Sequence, residues 1–106
     1  MFANNPCDLA VWCKLLRDKG WTGPQIGRSL GRSEGYVNNL IRIVERASPA
    51  LLLRWHAEHV PGAGLRHVCA TDWLVHVVLL PHAEQEVALS ERLARPAARP
   101  APARDA

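Results

Sequence analysis

The chain has 106 residues, 13 Lys and Arg against 10 Asp and Glu, and a formal net charge of +3. That length fits one domain with room for its own core, and a hydrophobic fraction of 48% excludes a chain disordered throughout. The longest apolar run, Trp73 to Pro81, is broken by His76 and falls short of the about 20 residues of a membrane span, and the opening Met-Phe-Ala-Asn-Asn-Pro has no basic region followed by an apolar one.

The charge is uneven. Residues 14–46 carry Lys14, Arg17, Lys19, Arg28, Arg32, Arg42 and Arg46 against Asp18, Glu34 and Glu45, while the rest of the chain is close to balanced. One short basic window is a modest footprint for a polyanion, and equally what a solvated face would show. Cys7, Cys13 and Cys69 are odd in number and form no C-x-x-C, so free thiols and a cytoplasmic location are expected.

Taken in order, the chain reads as five to seven short helices. Asn5-Pro6 opens the first, with Asn as cap, Pro at the first helical position and Asp8 at the positive helix start. Leu9, Trp12, Cys13 and Leu16 form its apolar stripe, and Gly20 ends it. Thr22 and Gln25 have the spacing of a capping box for a second helix that stops at Gly31. Ser33 caps a third, to about Ala47, with Val37, Leu40, Ile41 and Val44 inward. Ser48-Pro49 opens a fourth carrying Leu51, Leu52 and Trp55, which ends before Val60-Pro61-Gly62. A short helix is expected over Leu65–Cys69, another from a Thr71 cap to Leu79, and a last one over His82–Ala94 after Pro81. The reading is all-α, one domain over residues 1–94, followed by a Pro/Ala/Arg tail over 95–106 that is too poor in apolar residues to build a core.

The stretch from Thr22 to Leu40 has the spacing of a helix-turn-helix. Ile26 and Leu30 face inward on its first helix, Gly27 stands where two helices must approach closely, and Gly31 stands where the turn needs a left-handed backbone. Val37 and Leu40 are inward on the second helix, which leaves Glu34, Gly35, Asn38, Asn39 and Arg42 outward, with Tyr36 at the margin. Asn pairs in bidentate fashion with adenine and Arg with guanine or phosphate. Thr22 and Gln25 at a helix start suit phosphate, and Arg28 and Arg32 suit backbone contact of any sequence. An all-helical core with a glycine turn and no nucleic-acid role accounts for the same spacing.

Leu15-Leu-Arg-Asp-Lys-Gly-Trp-Thr22, Gln25-Ile-Gly-Arg-Ser-Leu-Gly-Arg-Ser33 and Tyr36-Val-Asn-Asn-Leu-Ile-Arg42 together resemble the central DNA-binding domain of ParB/KorB-type partition proteins. Ser48-Pro49 with Leu51, Leu52, Trp55 and Val60-Pro61 resembles the helices that follow the motif in that family, as does Leu80-Pro-His-Ala-Glu-Gln85. The resemblance spans roughly residues 9–90 and is weaker after Cys69. It implies sequence-dependent binding of double-stranded DNA at a palindromic site, in partition or transcriptional regulation, with a bacterial nucleoid or plasmid association. By resemblance Ser33, Glu34, Gly35, Tyr36, Asn38, Asn39 and Arg42 read the major groove, and Thr22 and Gln25 anchor to phosphate. Family members usually add a CTP-binding domain with an arginine-rich motif and a C-terminal dimerisation domain. Neither pattern is in this sequence, so a stand-alone module without CTP chemistry is expected.

No Gly-x-Ser-x-Gly, phosphate loop or paired carboxylates occur, so no catalytic activity and no cofactor are expected. His56, His59, His67 and Cys69 can be read as a zinc set, but Val60-Pro61-Gly62 interrupts their spacing, and satisfied histidines account for them better. A palindrome requires a dimer, and residues 49–94 are where a homodimer or protein partner is expected. A reading of a different class is an interaction adaptor on the same scaffold, with weak or no DNA binding and with Trp55 or Trp73 at its surface.

Overall fold

The structure, a computed structural model, describes residues 5–95. Within them the chain is all-α. Six helices follow one another: α1 (Pro6–Asp18), α2 (Gly23–Leu30), α3 (Glu34–Arg46), α4 (Pro49–Glu58), α5 (Thr71–Val77) and α6 (His82–Ala94). The expected tail lies outside the described residues except for Arg95. No described helix is long and apolar enough to cross a membrane.

The first four helices start where their caps place them. Asn5 Oδ1 accepts from the Cys7 and Asp8 N–H groups at 2.9 and 3.3 Å. The Thr22–Gln25 box closes in both directions, with Thr22 N–H donating to Gln25 Oε1 at 2.8 Å and Gln25 N–H to Thr22 Oγ1 at 3.3 Å. Ser33 Oγ accepts from Tyr36 N–H, and Ser48 Oγ from Leu51 N–H, each at 3.1 Å. Each such cap satisfies a backbone donor that the helix start leaves free.

α3 is the central element, packed against α1 and α2 on one side and α5 on another. Its buried residues are Val37, Leu40, Ile41 and Ile43, with Val44 only half-buried. The single predicted stripe therefore missed Ile43. A helix flanked on two sides buries a wider arc than one stripe covers. Leu30 is likewise half-buried, and Trp12 stands at the exposed margin of the α1 stripe while Cys7, Leu9, Ala10, Cys13 and Leu16 are buried.

The C-terminal half departs further from expectation. Residues 63–70 form no helix. Their backbone is held instead by the buried Glu58, whose carboxylate accepts from Val68 N–H and Cys69 N–H, both at 3.1 Å, and from Arg54 Nε at 2.9 Å. Donors taken by a carboxylate are not available to a helix. Thr71 is not a cap but the first residue of α5; Ala70, with no side-chain cap bond, precedes it, and its carbonyl accepts from Trp73 and Leu74 N–H. The helix ends at Val77 rather than Leu79, since the Leu79 and Leu80 N–H groups bond only three residues back, to the His76 and Val77 carbonyls at 3.1 Å; beyond that end the Val78 and Leu80 carbonyls accept from Gln85 Nε2, at 3.3 and 2.9 Å. Gln85 also accepts from Ser48 N–H at 2.7 Å and donates to the Arg46 carbonyl at 2.9 Å, so one buried amide joins the ends of α3, α4, α5 and α6.

Candidate nucleic-acid interface

The approach of α2 to α3 is set by Gly27. A Cβ there would lie 2.6 Å from the Arg32 carbonyl oxygen, closer than any side chain is tolerated. Arg32 N–H in turn donates to the Gly27 carbonyl at 2.9 Å, so the turn folds directly onto the α2 backbone. Gly31 ends α2 at φ +69°, in the left-handed region that glycine adopts at least cost. Ile26 and Val37 are wholly buried beneath this junction. Glu34, Gly35 and Arg42 are left exposed on α3, Tyr36, Asn38 and Asn39 half-buried, and Thr22, Gln25, Arg28, Arg32 and Ser33 exposed on α2 and the turn.

The chemistry of these positions is not uniform. Thr22, Gln25 and Ser33 each spend an acceptor on a helix cap, which leaves the Thr22 and Ser33 hydroxyl hydrogens and Gln25 Nε2 as donors. The Arg32 guanidinium lies 5.4 Å from the centre of the Tyr36 ring, a cation–π contact that steadies both. Asn38 is tied inward, since its Oδ1 accepts from Arg17 at 2.9 Å. The acceptor half of a bidentate adenine pair is thus already used. Asn39 has no such tie among the described residues. A Cβ on Gly35 would meet nothing within 4 Å, so α3 is open at that point.

Glu34 folds back. A Cβ on Gly23 would stand 3.0 Å from Glu34 Cγ and 3.1 Å from its Oε2. The carboxylate therefore lies against the first residue of α2, at the positive end of that helix. The cations show the opposite pattern. Lys14 is taken up by Asp18 at 2.8 Å and Glu45 at 3.0 Å, whereas Lys19, Arg28, Arg32 and Arg42 enter no ion pair among the described residues.

Beside the α2 start lies an open groove of about 580 Å³, lined by Lys19, Gly20, Trp21, Gln25, Arg28 and Ser29. Two cations and an aromatic ring border it, and no acid does. Trp21 is 39% exposed along this groove. Lys19 and Trp21 are thus candidate contact residues that spacing alone did not single out. The available signal was Lys19-Gly20-Trp21 directly before the capping box, with Gly20 at φ +98° turning the chain there.

Burial pushes the Cys7 thiol up to about 12, with the Asp8 and Glu58 charges adding to it, and burial with the Glu58 charge does the same at Cys69. Neither provides a thiolate nucleophile at neutral pH. His59 Nδ1 faces the Trp55 carbonyl at 3.0 Å and Cys7 Sγ at 3.5 Å, with its ring edge-on to His67. Among the described residues no three His, Cys, Asp or Glu converge as metal ligands. Trp55 is 0% exposed and belongs to the core, and Trp73 is half-buried with Arg92 over its ring, so Trp55 is not at a surface. Comparisons with protein-family models, curated proteins and solved structures find no match to this chain.

Proposed function

We propose that the chain is a sequence-dependent, non-enzymatic DNA-binding protein of the ParB/KorB helix-turn-helix type, acting in DNA partition or transcriptional regulation. The observation that carries this reading is the locked α2–α3 junction. Gly27 and Gly31 fix α3 against α2 and leave half-buried Asn39 and exposed Arg42 with no side-chain partner among the described residues. α3 is the recognition helix and lies in the major groove, with Asn39 on adenine and Arg42 on guanine or phosphate. Arg32 and Tyr36 flank it. Thr22 and Gln25, at the start of α2, donate to a backbone phosphate. Lys19 and Arg28 across the groove take the next stretch of backbone and supply the salt-dependent part of the affinity.

Selection from a random duplex library at about 150 mM salt, followed by a salt titration on the enriched sequence, tests the reading. An enriched motif is expected, with binding that falls steeply as salt rises. Asn39→Ala or Arg42→Ala should relax the preference at one position each, a loss of about 1–3 kcal/mol. Lys19→Ala with Arg28→Ala should weaken all duplexes alike and lower the salt slope by about 2. Binding only at low salt, with no enriched sequence, would refute sequence-dependent recognition.

A further inference from the structure

The outer side of α4 carries no charge. Leu51, Trp55 and Glu58 face the core, Arg54 is drawn to Glu58 and the Arg66 carbonyl, and the opposite side presents exposed Ala50 and Leu53 and half-buried Ala57, with half-buried His56 at its edge. Val60, in the turn just beyond the helix, continues that stripe. Leu53 is 72% exposed, more than any other large apolar residue described, and Val60 is 55% exposed. Surface helices ordinarily set charged residues opposite their buried face, and a helix apolar on both sides is one that something covers.

The order of side chains on the stripe says what. It runs small, large, small, large at intervals of three, four and three residues. Laid antiparallel on a second copy about a two-fold axis at the level of Trp55, Leu53 meets Ala57 of the other copy and Ala50 meets Val60. Every large residue then faces a small one, and no like charges meet. This is the self-complementarity that an isologous contact requires. The neighbouring α6 cannot serve, because Glu84, Glu86 and Glu91 are exposed on it and a two-fold there would bring acids together. We infer that α4 pairs with α4 of a second copy of this chain, antiparallel and in this register. The inference rests on the helix face and not on DNA binding, so either can fail alone.

The face is small. Ten helical residues span about 15 Å, so each copy covers on the order of 400 Å², about half of a standard interface. The dimer is weak in free solution and gains strength where two copies are held close, as on two halves of one DNA site.

Sedimentation equilibrium of the intact chain from about 10 μM to about 1 mM tests the inference. The mass is expected to climb from one copy of 11.7 kDa toward two. Leu53→Lys and Ala57→Glu should each shift the midpoint at least about tenfold upward, since each sets an unpaired charge in the contact twice. An equimolar mixture of the two should dimerise again, because Lys at 53 of one copy then faces Glu at 57 of the other. Circular dichroism checks folding of each variant, and Val60→Lys mixed with Ala50→Glu repeats the test at two exposed positions. A mass of one copy at every concentration, a dimer indifferent to these variants, or folded mixtures that stay monomeric would overturn it.

Discussion

The two halves of the molecule are held together by different means. In α1 to α3, side chains two or three residues away cap each helix, glycines at Gly20 and Gly31 end two of them, and no polar side chain is buried among the core residues. In α4 to α6, only α4 has a side-chain cap bond. Beside the apolar core that runs through both halves, two buried polar residues bond there across long stretches of chain: Glu58, which gathers residues 10 and 11 positions ahead, and Gln85, which reaches back as far as 39. Local devices give a rigid module that can present a helix. Long-range polar staples give a half that stands or falls with single side chains.

The sharpest test of that contrast is Gln85→Leu. The leucine fills the space but leaves the Ser48 N–H and the Leu80 carbonyl without a partner, while the Arg46 carbonyl keeps only His82 Nε2 at 3.1 Å. Buried groups left unpaired cost about 1–3 kcal/mol each, so a loss of about 4 kcal/mol is expected, read by urea denaturation. A loss below about 1 kcal/mol would show that water replaces the amide readily and that the staple is dispensable. Glu58→Gln comes next, at about 2 kcal/mol, since an amide offers one acceptor where the carboxylate serves three donors.

Glu58 also fixes a pH dependence. Burial pushes its carboxyl up, but the bonds from Arg54, Val68 N–H and Cys69 N–H outweigh that and hold it below the ordinary value of 4.5. A carboxyl depressed on folding contributes stability that is fully present above the unfolded value and is lost as pH falls through the folded one. The wild-type chain should therefore lose stability below about pH 4.5, and Glu58→Gln should remove part of that acid limb. Thermal melts from pH 7 to pH 3 read both. An equally steep acid limb in the variant would place the linkage on other carboxylates.

The same contrast explains what could be read from the residues. The starts of α1 to α4 and the ends of α1 and α2 were legible because Asn5, Thr22, Ser33, Ser48, Gly20 and Gly31 act within a few positions of themselves. The helix expected over Leu65–Cys69 was not a failure of propensity. It was overruled by Glu58, whose role depends on a fold that brings residue 58 under residue 68. Gln85 stands in the sequence only within a segment of resemblance, and nothing local marks a glutamine as buried. Of the candidate interface, the outward set on α3 was legible from periodicity. The inward tie of Asn38 to Arg17 and the groove beside Trp21 were not, since the first needs the packing of α1 on α3 and the second the angle between α1 and α2.

Gly27→Ala probes the local half directly. Its Cβ would press on the backbone carbonyl of Arg32, which cannot rotate away, so the turn must shift. Overpacking of this kind costs about 1–3 kcal/mol, and about 2 kcal/mol is expected here. DNA binding should fall by more than stability predicts, because α3 is re-aimed while the chain stays folded. A variant that binds as wild type would mean that α3 tolerates a change of angle.

The smallest expected effect is the most informative about the interface. Glu34 rests against the start of α2, where the proposed reading places a phosphate. A carboxylate and a phosphate cannot share that pole without cost, so binding must displace Glu34 or repel the backbone. Glu34→Gln keeps the shape and removes the charge. Affinity for every duplex should then rise about three- to fivefold at low salt, with the gain shrinking as salt screens it. The opposite result is equally specific. If Glu34→Gln weakens only the selected sequence, and only at one base pair, the side chain swings out and accepts from a cytosine amino group. Glu34 then reads sequence instead of guarding a phosphate site, and the folded-back position is its resting state.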